Sequence, residues 1–558
     1  MMKPWAEATV LDLFESAVRA RPRGEAVVCG TERLSYEELG ARVDRFAEGL
    51  RQLGLTRGDR IAVWMVNRTE WLVTYFAVAR LGAVLVALNP RYTVDECRHV
   101  LDASQAKAVV MQDGFRRHDY LAALRSLCPE IDRVGPGRWS SVAVPSLREV
   151  VVVGDAGARG TRSFSEVVES GRRSIDAGEP VPTADADPDD TFLLLFTSGT
   201  TSRSKGVMLS HRNIVANNFL SGERQRLTPD DRMLFVLPLA SAFSCAHGLI
   251  AILSHHGTFV LLDSFSPSDC MRLIERERCT TMYGVGSMFQ DIIDAPERPD
   301  HDLGSLRTGV GILTPEMAEA VREVLGVPEY HNGWGMTESG GVSTMTTVAD
   351  PVAIRTGTVG TPLPGVELKI ADPVTGERVA EGAAGEVLVR GTAVTRGYHQ
   401  DPEATAALID EDGWLHSADL GRLLPGGYLE YLGRLKDLIK PNGFSVSPAE
   451  IEAVLSTLPG IRAAAVVGVP DRRTMEAVFA FVVRDPAAEV PLDTDAVREH
   501  CAGLLAGYKI PQYVEFIEDD LPRNDLGKVL KNRLREDAER RVSSGAAGQR
   551  YPRARTSA

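Results

Sequence analysis

The sequence predicts an α/β protein: a large N-terminal domain of two mainly parallel, helix-covered sheets plus a β-rich subdomain, then a small α+β C-terminal domain. Three observations predict it. Short continuous apolar runs, such as Ala83–Leu88 and Phe192–Phe196, alternate with amphipathic stretches. Strand, helix, strand in that order builds a parallel sheet covered on both faces. From Gly357 to Tyr431 the texture changes to short alternating strands with Gly and Pro turns (GTPLPGVELKI, GEVLVRG, GYLEYLGR). After Lys436 a new α/β unit of about one hundred residues begins, at the low end of the domain-size range.

The elements follow in order. Leu11, Phe14, Ala17 and Val18 recur at helical spacing, so residues 8–53 read as helix, hairpin, helix. Ser35 is an N-cap candidate with Glu38 three residues on. Gly58-Asp59 turns into a strand Arg60–Met65, and a helix from about Glu70 leads to Gly82 and the strand Ala83–Leu88. Further strands are expected at Ala108–Met111, Glu149–Val153 and Phe192–Phe196. The stretch 129–190 is rich in Gly, Pro, Ser and Asp and reads as surface insertion and linker around Val150–Val153. A second run has strands Met233–Leu237 and Thr258–Leu262, with helices from about Ala246 and over 267–278. The C-terminal unit has helices Pro448–Ser456 and Asp493–Leu504 around strands Ala463–Val469 and Ala477–Val483. The expected domains are 1–435, with the β-rich subdomain at about 357–433, and 436–540. A Gly-, Ser- and Arg-rich tail, 541–558, is expected to be disordered.

Composition excludes several classes. The 558 residues are 44% hydrophobic, enough for large cores, and the net charge of -14 argues against a nucleic-acid partner. The seven cysteines are widely spaced without a CxxC, so neither a disulfide framework nor a zinc site is expected. The N-terminus lacks a signal-peptide pattern, and no apolar run approaches a membrane span. A cytoplasmic protein without stable membrane association is expected, and a homodimer is compatible with the sequence.

The strand Phe192–Phe196 runs into Thr197-Ser198-Gly199-Thr200-Thr201-Ser202-Arg203-Ser204-Lys205-Gly206. Backbone N–H groups and hydroxyls can cradle anionic oxygens, and Lys205 adds charge. The spacing is not that of a Walker loop. Alone, the stretch reads either as an anion cradle or as a Ser/Thr-rich turn. TSGTTSRSKGVMLSHRN resembles the TSGTTG-x-PKG signature of the adenylate-forming superfamily: acyl-CoA synthetases, peptide-synthetase adenylation domains and luciferases. The resemblance extends from RLSYEEL to LPRNDLGKVLKNRLRE.

Further motifs occur in the family's order. Gly333-Trp334-Gly335-Met336-Thr337-Glu338 resembles YGxTE; this implies Thr337 at the α-phosphate, Glu338 on Mg²⁺ and Trp334 against adenine. GWLHSADLG resembles GW-x-x-TGDLG and implies that Asp419 accepts the ribose hydroxyls. Gly433-Arg434-Leu435-Lys436-Asp437 resembles GR-x-KD, implying Arg434 on ribose or phosphate and Lys436 as the hinge of a mobile C-terminal domain. Gly443-Phe444-Ser445-Val446-Ser447-Pro448 resembles the glycine loop that lines the path to coenzyme A. LPRNDLGK resembles the terminal LP-x-x-x-x-GK and implies that Lys528 bridges substrate carboxylate and α-phosphate. His211, His255 and His256 lack a surrounding carboxylate or cysteine cluster and read as structural.

The implied chemistry has two halves. A carboxylate attacks the α-phosphate of Mg·ATP to give acyl-AMP and pyrophosphate; coenzyme A thiolate then attacks the acyl carbon and AMP leaves. The small domain swings between them about Lys436. Three departures stand out. Ser202 and Ser204 replace the loop's Gly and Pro. SLRTGVGILTPE is shorter than its counterpart. In LPLASAFSCAHG, Ala240 and Ser241 stand where an aromatic and a histidine are usual. The resemblance places the acyl pocket at Ala240, Ser241, Phe243, Gly309, Gly311 and Gly335, and the small residues predict a bulky hydrophobic acid. Four readings stay open: a complete acyl-CoA ligase, a thioesterification-only enzyme fed acyl-AMP by an upstream adenylating enzyme, an enzyme loading a carrier-protein thiol, and a non-enzymatic acyl-adenylate binder.

Overall fold

Thr9 and Ser35 start the first two helices by the same device. Each side chain accepts from the backbone N–H three residues on, and Asp12 or Glu38 reaches back to the cap's own N–H. The helices Val10–Ala20 and Tyr36–Gln52 flank the antiparallel hairpin Glu25–Cys29 and Glu32–Ser35. The computed structural model describes all residues except 1–4, 117, 155–158, 198–203, 440, 442–445, 472–473, 487, 489–491, 525–526 and 548–558. The chain divides into two compact units, Met1–Leu368 with Val389–His416, and Lys369–Leu388 with Ser417–Ala558.

The first unit holds the two expected sheets. One runs Lys205–Ser210, Thr191–Thr197, Val84–Ala87, Arg60–Trp64, Ala108–Gln112, Glu149–Val153, Arg162–Ser163. It is parallel except for the pair Thr191–Thr197 with Lys205–Ser210. The other centres on the parallel strands Glu329–Trp334, Thr308–Ile312, Thr281–Met282, Arg232–Phe235, Thr258–Leu261 and Glu25–Cys29. In sequence, the C-terminal ends of Thr191–Thr197 and Glu329–Trp334 lead directly into the Ser198–Gly206 and Thr337-Glu338 motifs. Among the described residues no helix is long and apolar enough to cross a membrane.

Residues 129–190 are not only linker. Phe164–Asp176 is a helix capped by Ser163 and Glu166, and Phe164 stacks on Phe46 at 4.2 Å. The glycine that weakens its helical signal is what docks it. A Cβ on Gly171 would lie 1.8 Å from the Arg45 carbonyl oxygen, and one on Gly49 would lie 2.2 Å from that of Val167. The two backbones therefore touch through paired glycines. Gly171→Leu should separate the helices and destabilise the protein by about 3 kcal/mol, the upper part of the overpacking range. Urea unfolding checks this; an unchanged midpoint would sink the packing argument.

In the β-rich subdomain the strands Val366–Ala371, Gly385–Gly391, Leu415–Leu424 and Tyr428–Arg434 form one sheet in that order. The second unit also holds a three-stranded sheet, Ile461–Asp471, Met475–Arg484 and Tyr513–Ile517. Helices Pro448–Ser456 and Thr494–Leu504 pack Ile451, Leu455, Val497 and Cys501 on one face. Lys531–Ser544 packs Leu534 and Ala538 on the other. This helix carries ordered chain past 541, and Ala547 is buried, so the disorder expected from 541 does not begin there. Residues 548–558 lie outside the described residues.

Candidate functional site

The strand Glu329–Trp334 ends on buried Trp334 and turns sharply. A Cβ on Gly335 would lie 2.4 Å from the Gly341 carbonyl oxygen, and Gly340 and Gly341 adopt φ of +68° and +111°, which suit glycine. The short 3₁₀ turn Thr337–Ser339 fits between them, leaving Thr337 half-buried and Glu338 buried. The helix His211–Arg224 supports the turn with side-chain amides. Asn218 Nδ2 donates to Gly340 O at 3.0 Å, and Asn213 Nδ2 donates to Thr392 O and Val394 O at 2.8 Å each. Asn217 Nδ2 donates to Val342 O.

One side chain links the acidic turn to Lys205. Tyr398 Oη donates to Glu338 Oε1 at 2.9 Å, and the same ring lies 5.1 Å from Lys205 Nζ. Met208 N donates to Gly397 O and His399 N donates to Gly206 O, pinning the tyrosine's segment beside Lys205–Ser210. Burial first, then the Glu338 carboxylate, push the phenol's pKa up, so it stays a donor. Thr197 pairs with Lys205 at the stem of the loop. Ser198, Gly199, Thr200 and Thr201 lie outside the described residues, as does Ser202. The Ser204 carbonyl accepts from His99 Nε2 at 2.8 Å.

The expected acyl-pocket residues fall in the same unit. Ser241 Oγ donates to Pro238 O at 2.9 Å, ahead of a π-helical turn Ala242–Gly248 that replaces the α-helical start expected at Ala246. Phe243 stacks on Tyr283 with ring centroids 5.3 Å apart. A Cβ on Gly309 would meet Met282 O at 2.1 Å, and one on Gly311 would meet Tyr330 Oη at 2.7 Å. Only Leu313 and Thr314 separate the strand Thr308–Ile312 from the helix Pro315–Glu323, so the shortened link is a tight one. Asn332 clamps it, accepting from Leu313 N at 3.0 Å and donating to Leu313 O at 3.1 Å.

In the second unit, Asp419 and Arg434 face each other across an antiparallel pair, with Nε 2.7 Å from Oδ1. Asp419 is 2% exposed. Its N–H donates to Ser417 Oγ at 3.0 Å, and the Ala418 N–H donates to Glu386 Oε1 at 3.0 Å. Ala418 holds φ of +54°, where a glycine would be relaxed; such residues carry roughly 1–3 kcal/mol of strain. The Ala418 departure from the motif thus appears as strain beside the buried carboxylate. Lys436 is exposed in the turn Leu435–Asp437. Lys528 is exposed, and its ammonium lies within electrostatic reach of Arg434, Asp419, Lys436 and Asp437. Desolvation, then repulsion from Arg434, lower its pKa. Gly443, Phe444 and Ser445 lie outside the described residues; Ile439 and Val446 pair on either side of them.

Within the first unit, the structure therefore brings Glu338 and Lys205 together through Tyr398; within the second, it brings Asp419, Arg434 and Lys528 together. Motif reading missed Tyr398 and the three asparagines. Their signal was present: buried-type amides recur in the otherwise apolar helix HRNIVANNFL. His211 is also structural, stacking on Phe192 and accepting from Val10 N at 3.2 Å; burial pushes its pKa down to about 4. Among the described residues no group of three or more His, Cys, Asp or Glu could hold a metal ion. The buried Glu338 carboxylate, joined through Tyr398 to Lys205, fits Mg²⁺, which takes one or two carboxylates and completes its shell with phosphates and water.

The sequence matches the AMP-binding enzyme family over residues 14–399 and the AMP-binding enzyme C-terminal domain over 450–528. It is 37% identical to a Rhodococcus jostii ligase named for CoA and a methyl-dioxo-octahydroindenyl propanoyl group, covering 93% of this chain and 97% of that protein. It is 34% identical to the mitochondrial medium-chain acyl-CoA ligase ACSF2 of Danio rerio, covering 97% and 90%. The fold matches ATP-bound MatB from Rhodopseudomonas palustris with a TM-score of 0.79 and 31% identity, over 95% of this chain and 99% of that one.

Proposed function

We propose, from the premise that this chain belongs to the AMP-binding, adenylate-forming enzyme family, that it is a complete acyl-CoA ligase for a bulky hydrophobic carboxylic acid. The observation that carries completeness is the joined set Glu338, Tyr398 and Lys205. An enzyme that only accepted ready-made acyl-AMP would have no use for a metal carboxylate and a phosphate lysine held in register. The bulk of the acid is supported by Ala240 and Ser241, by the short Leu313-Thr314 link, and by a relative named for a bicyclic acid.

The roles follow the chemistry. Lys205 and the hydroxyls of Thr197, Ser198, Thr200 and Thr201, with Gly199, grip the phosphates. Thr337 donates to the α-phosphate and Trp334 flanks the adenine. Glu338 would hold Mg²⁺, which supplies charge neutralisation at the phosphates when bound with ATP. Asp419 accepts from ribose and Arg434 steadies ribose or phosphate. Lys528 offsets charge as the carboxylate attacks phosphorus and pyrophosphate leaves. Lys436 is the hinge, and Gly443, Phe444 and Ser445 line the approach of the coenzyme A thiolate, which displaces AMP from the acyl carbon. We assign 436–540 as the moving lid.

A second reading is favoured by Ser202 and Ser204, which replace Gly and Pro in the phosphate loop. The loss of glycine freedom and of a fixed φ weakens the grip on pyrophosphate. One experiment separates the two. Purified protein receives a bulky acyl-AMP with coenzyme A, and in parallel the free acid with Mg·ATP and coenzyme A. Thioester from both is expected. Thioester from the adenylate alone would replace the ligase reading with the thioesterification-only one.

A further inference from the structure

Thr93 begins the helix Val94–Ala103 with another capping box, closed by Glu96. Cys97, Val100 and Leu101 seat this helix in the core that also holds Trp64 and Leu194 of the first sheet. Two side chains of the same element then reach the chain on either side of residues 198–203. His99 Nε2 lies 2.8 Å from Ser204 O, and Tyr92 Oη donates to Phe196 O at 3.4 Å. The first bond is short and the second long, so the stronger hold is on Ser204. A carbonyl can only accept, so His99 Nε2 carries the proton. The His99 ring also meets Phe196 edge to face, with centroids 6.0 Å apart.

The consequence falls on Lys205. Ser204 and Lys205 share a peptide bond, and His99 holds its oxygen. On the far side, His399 N donates to Gly206 O at 2.7 Å, and the Tyr398 ring lies 5.1 Å from Lys205 Nζ. The backbone of Lys205 is therefore held both before and after the residue. The hold before it matters because Ser204 stands where the motif's proline would fix φ. A serine supplies no such restraint from its own ring, so the restraint has to come from another segment. His99 brings it from a helix packed on the sheet.

We infer that His99 is a positioning residue for adenylation: its bond to Ser204 O holds the backbone of Lys205 so that the ammonium meets the phosphates of ATP. This rests on the acyl-CoA ligase reading above, and it counters the weakening argued there from Ser204. His99 touches no reacting atom and acts through the Ser204–Lys205 peptide. The thioesterification half-reaction makes no demand on ATP phosphates, so it does not depend on this bond.

The test compares the parent with two variants. His99→Phe keeps an aromatic ring against Phe196 and loses the donor; His99→Gln has an amide that can donate to the same carbonyl. Mg·ATP titration by calorimetry, pyrophosphate release from ATP with free acid, and thioester formation from supplied acyl-AMP are measured, and thermal melting reports on folding. In His99→Phe, Mg·ATP binding should weaken about tenfold and kcat/KM for adenylation should fall at least as far, while thioester formation from acyl-AMP stays within about twofold of the parent. His99→Gln should recover most of the loss. Unchanged Mg·ATP binding in a folded His99→Phe, equal losses in the two half-reactions, or a His99→Gln no better than His99→Phe would overturn the inference and leave the ligase reading intact. Should His99→Phe not fold, His99→Leu is read in its place by the same measurements. A parent that makes thioester from acyl-AMP but neither binds Mg·ATP nor releases pyrophosphate would remove the complete-ligase reading and this inference with it.

Discussion

Lys528→Ala is expected to cut thioester formation from free acid about a thousandfold, while thioester formation from supplied acyl-AMP stays within about threefold of the parent. The asymmetry is the point. In the proposed mechanism Lys528 places one cation where a carboxylate and a phosphate, both anionic, must meet, and its removal would leave that repulsion uncompensated. The second half-reaction expels AMP from carbon and makes no such demand on this residue. The pH profile sharpens the expectation. The acting form is the ammonium, present below the group's pKa. Desolvation and Arg434 lower that pKa, and attraction from Asp419 and Asp437 only partly opposes them. Adenylation should therefore decline on the alkaline side at a lower pH than an unperturbed lysine would give. Lys528→Arg keeps its charge throughout, so its residual activity should lose that alkaline limb. Pyrophosphate release in single turnovers at stepped pH measures both. Equal losses in the two half-reactions would mean that Lys528 supports the fold of its unit rather than the chemistry.

The motif residues stand out because each is embedded in a short linear pattern, and some elements with purely local signals form as their spacing implies. Ser35 and Glu38 form the capping box their spacing implies, and Pro448–Ser456 is a helix with the bounds read from sequence. Elements whose logic is tertiary were not legible. Gly171 argues against a helix when only propensity is weighed, yet the Arg45 carbonyl requires it there. The π-helical turn at Ala242–Gly248 likewise has no linear signature. The candidate site divides the same way. Lys205, Glu338, Asp419 and Lys528 announce themselves, whereas the groups that hold them come from distant segments. Tyr398 lies sixty residues from Glu338 and bonds it directly. Ala418 was visible as a departure, but its meaning, a positive φ beside Asp419, is a property of the folded backbone.

Glu338→Gln should lower adenylation about a hundredfold and move the Mg²⁺ requirement to at least about tenfold higher concentration. The substitution keeps size and shape. Its amide oxygen can still accept from Tyr398 Oη, so the turn Thr337–Ser339 keeps its support from the 397–399 segment. What is lost is the charge, and a hard cation binds a carboxylate far better than a neutral amide. Tyr398→Phe gives the complementary case. The ring stays over Lys205 while the carboxylate loses its hydrogen bond, so the proposed metal ligand would keep its charge and lose its orientation. A loss of about tenfold is expected there, recovered in large part by raising Mg²⁺, because misorientation weakens binding without abolishing it. Mg·ATP titration by calorimetry reads the same order, parent above Tyr398→Phe above Glu338→Gln, without any turnover. Thioester formation from acyl-AMP should be indifferent to both changes. Were Glu338→Gln to adenylate normally at ordinary Mg²⁺, the buried carboxylate would be a structural acceptor for Tyr398. The case for a complete ligase would then rest on Lys205 and Lys528 alone.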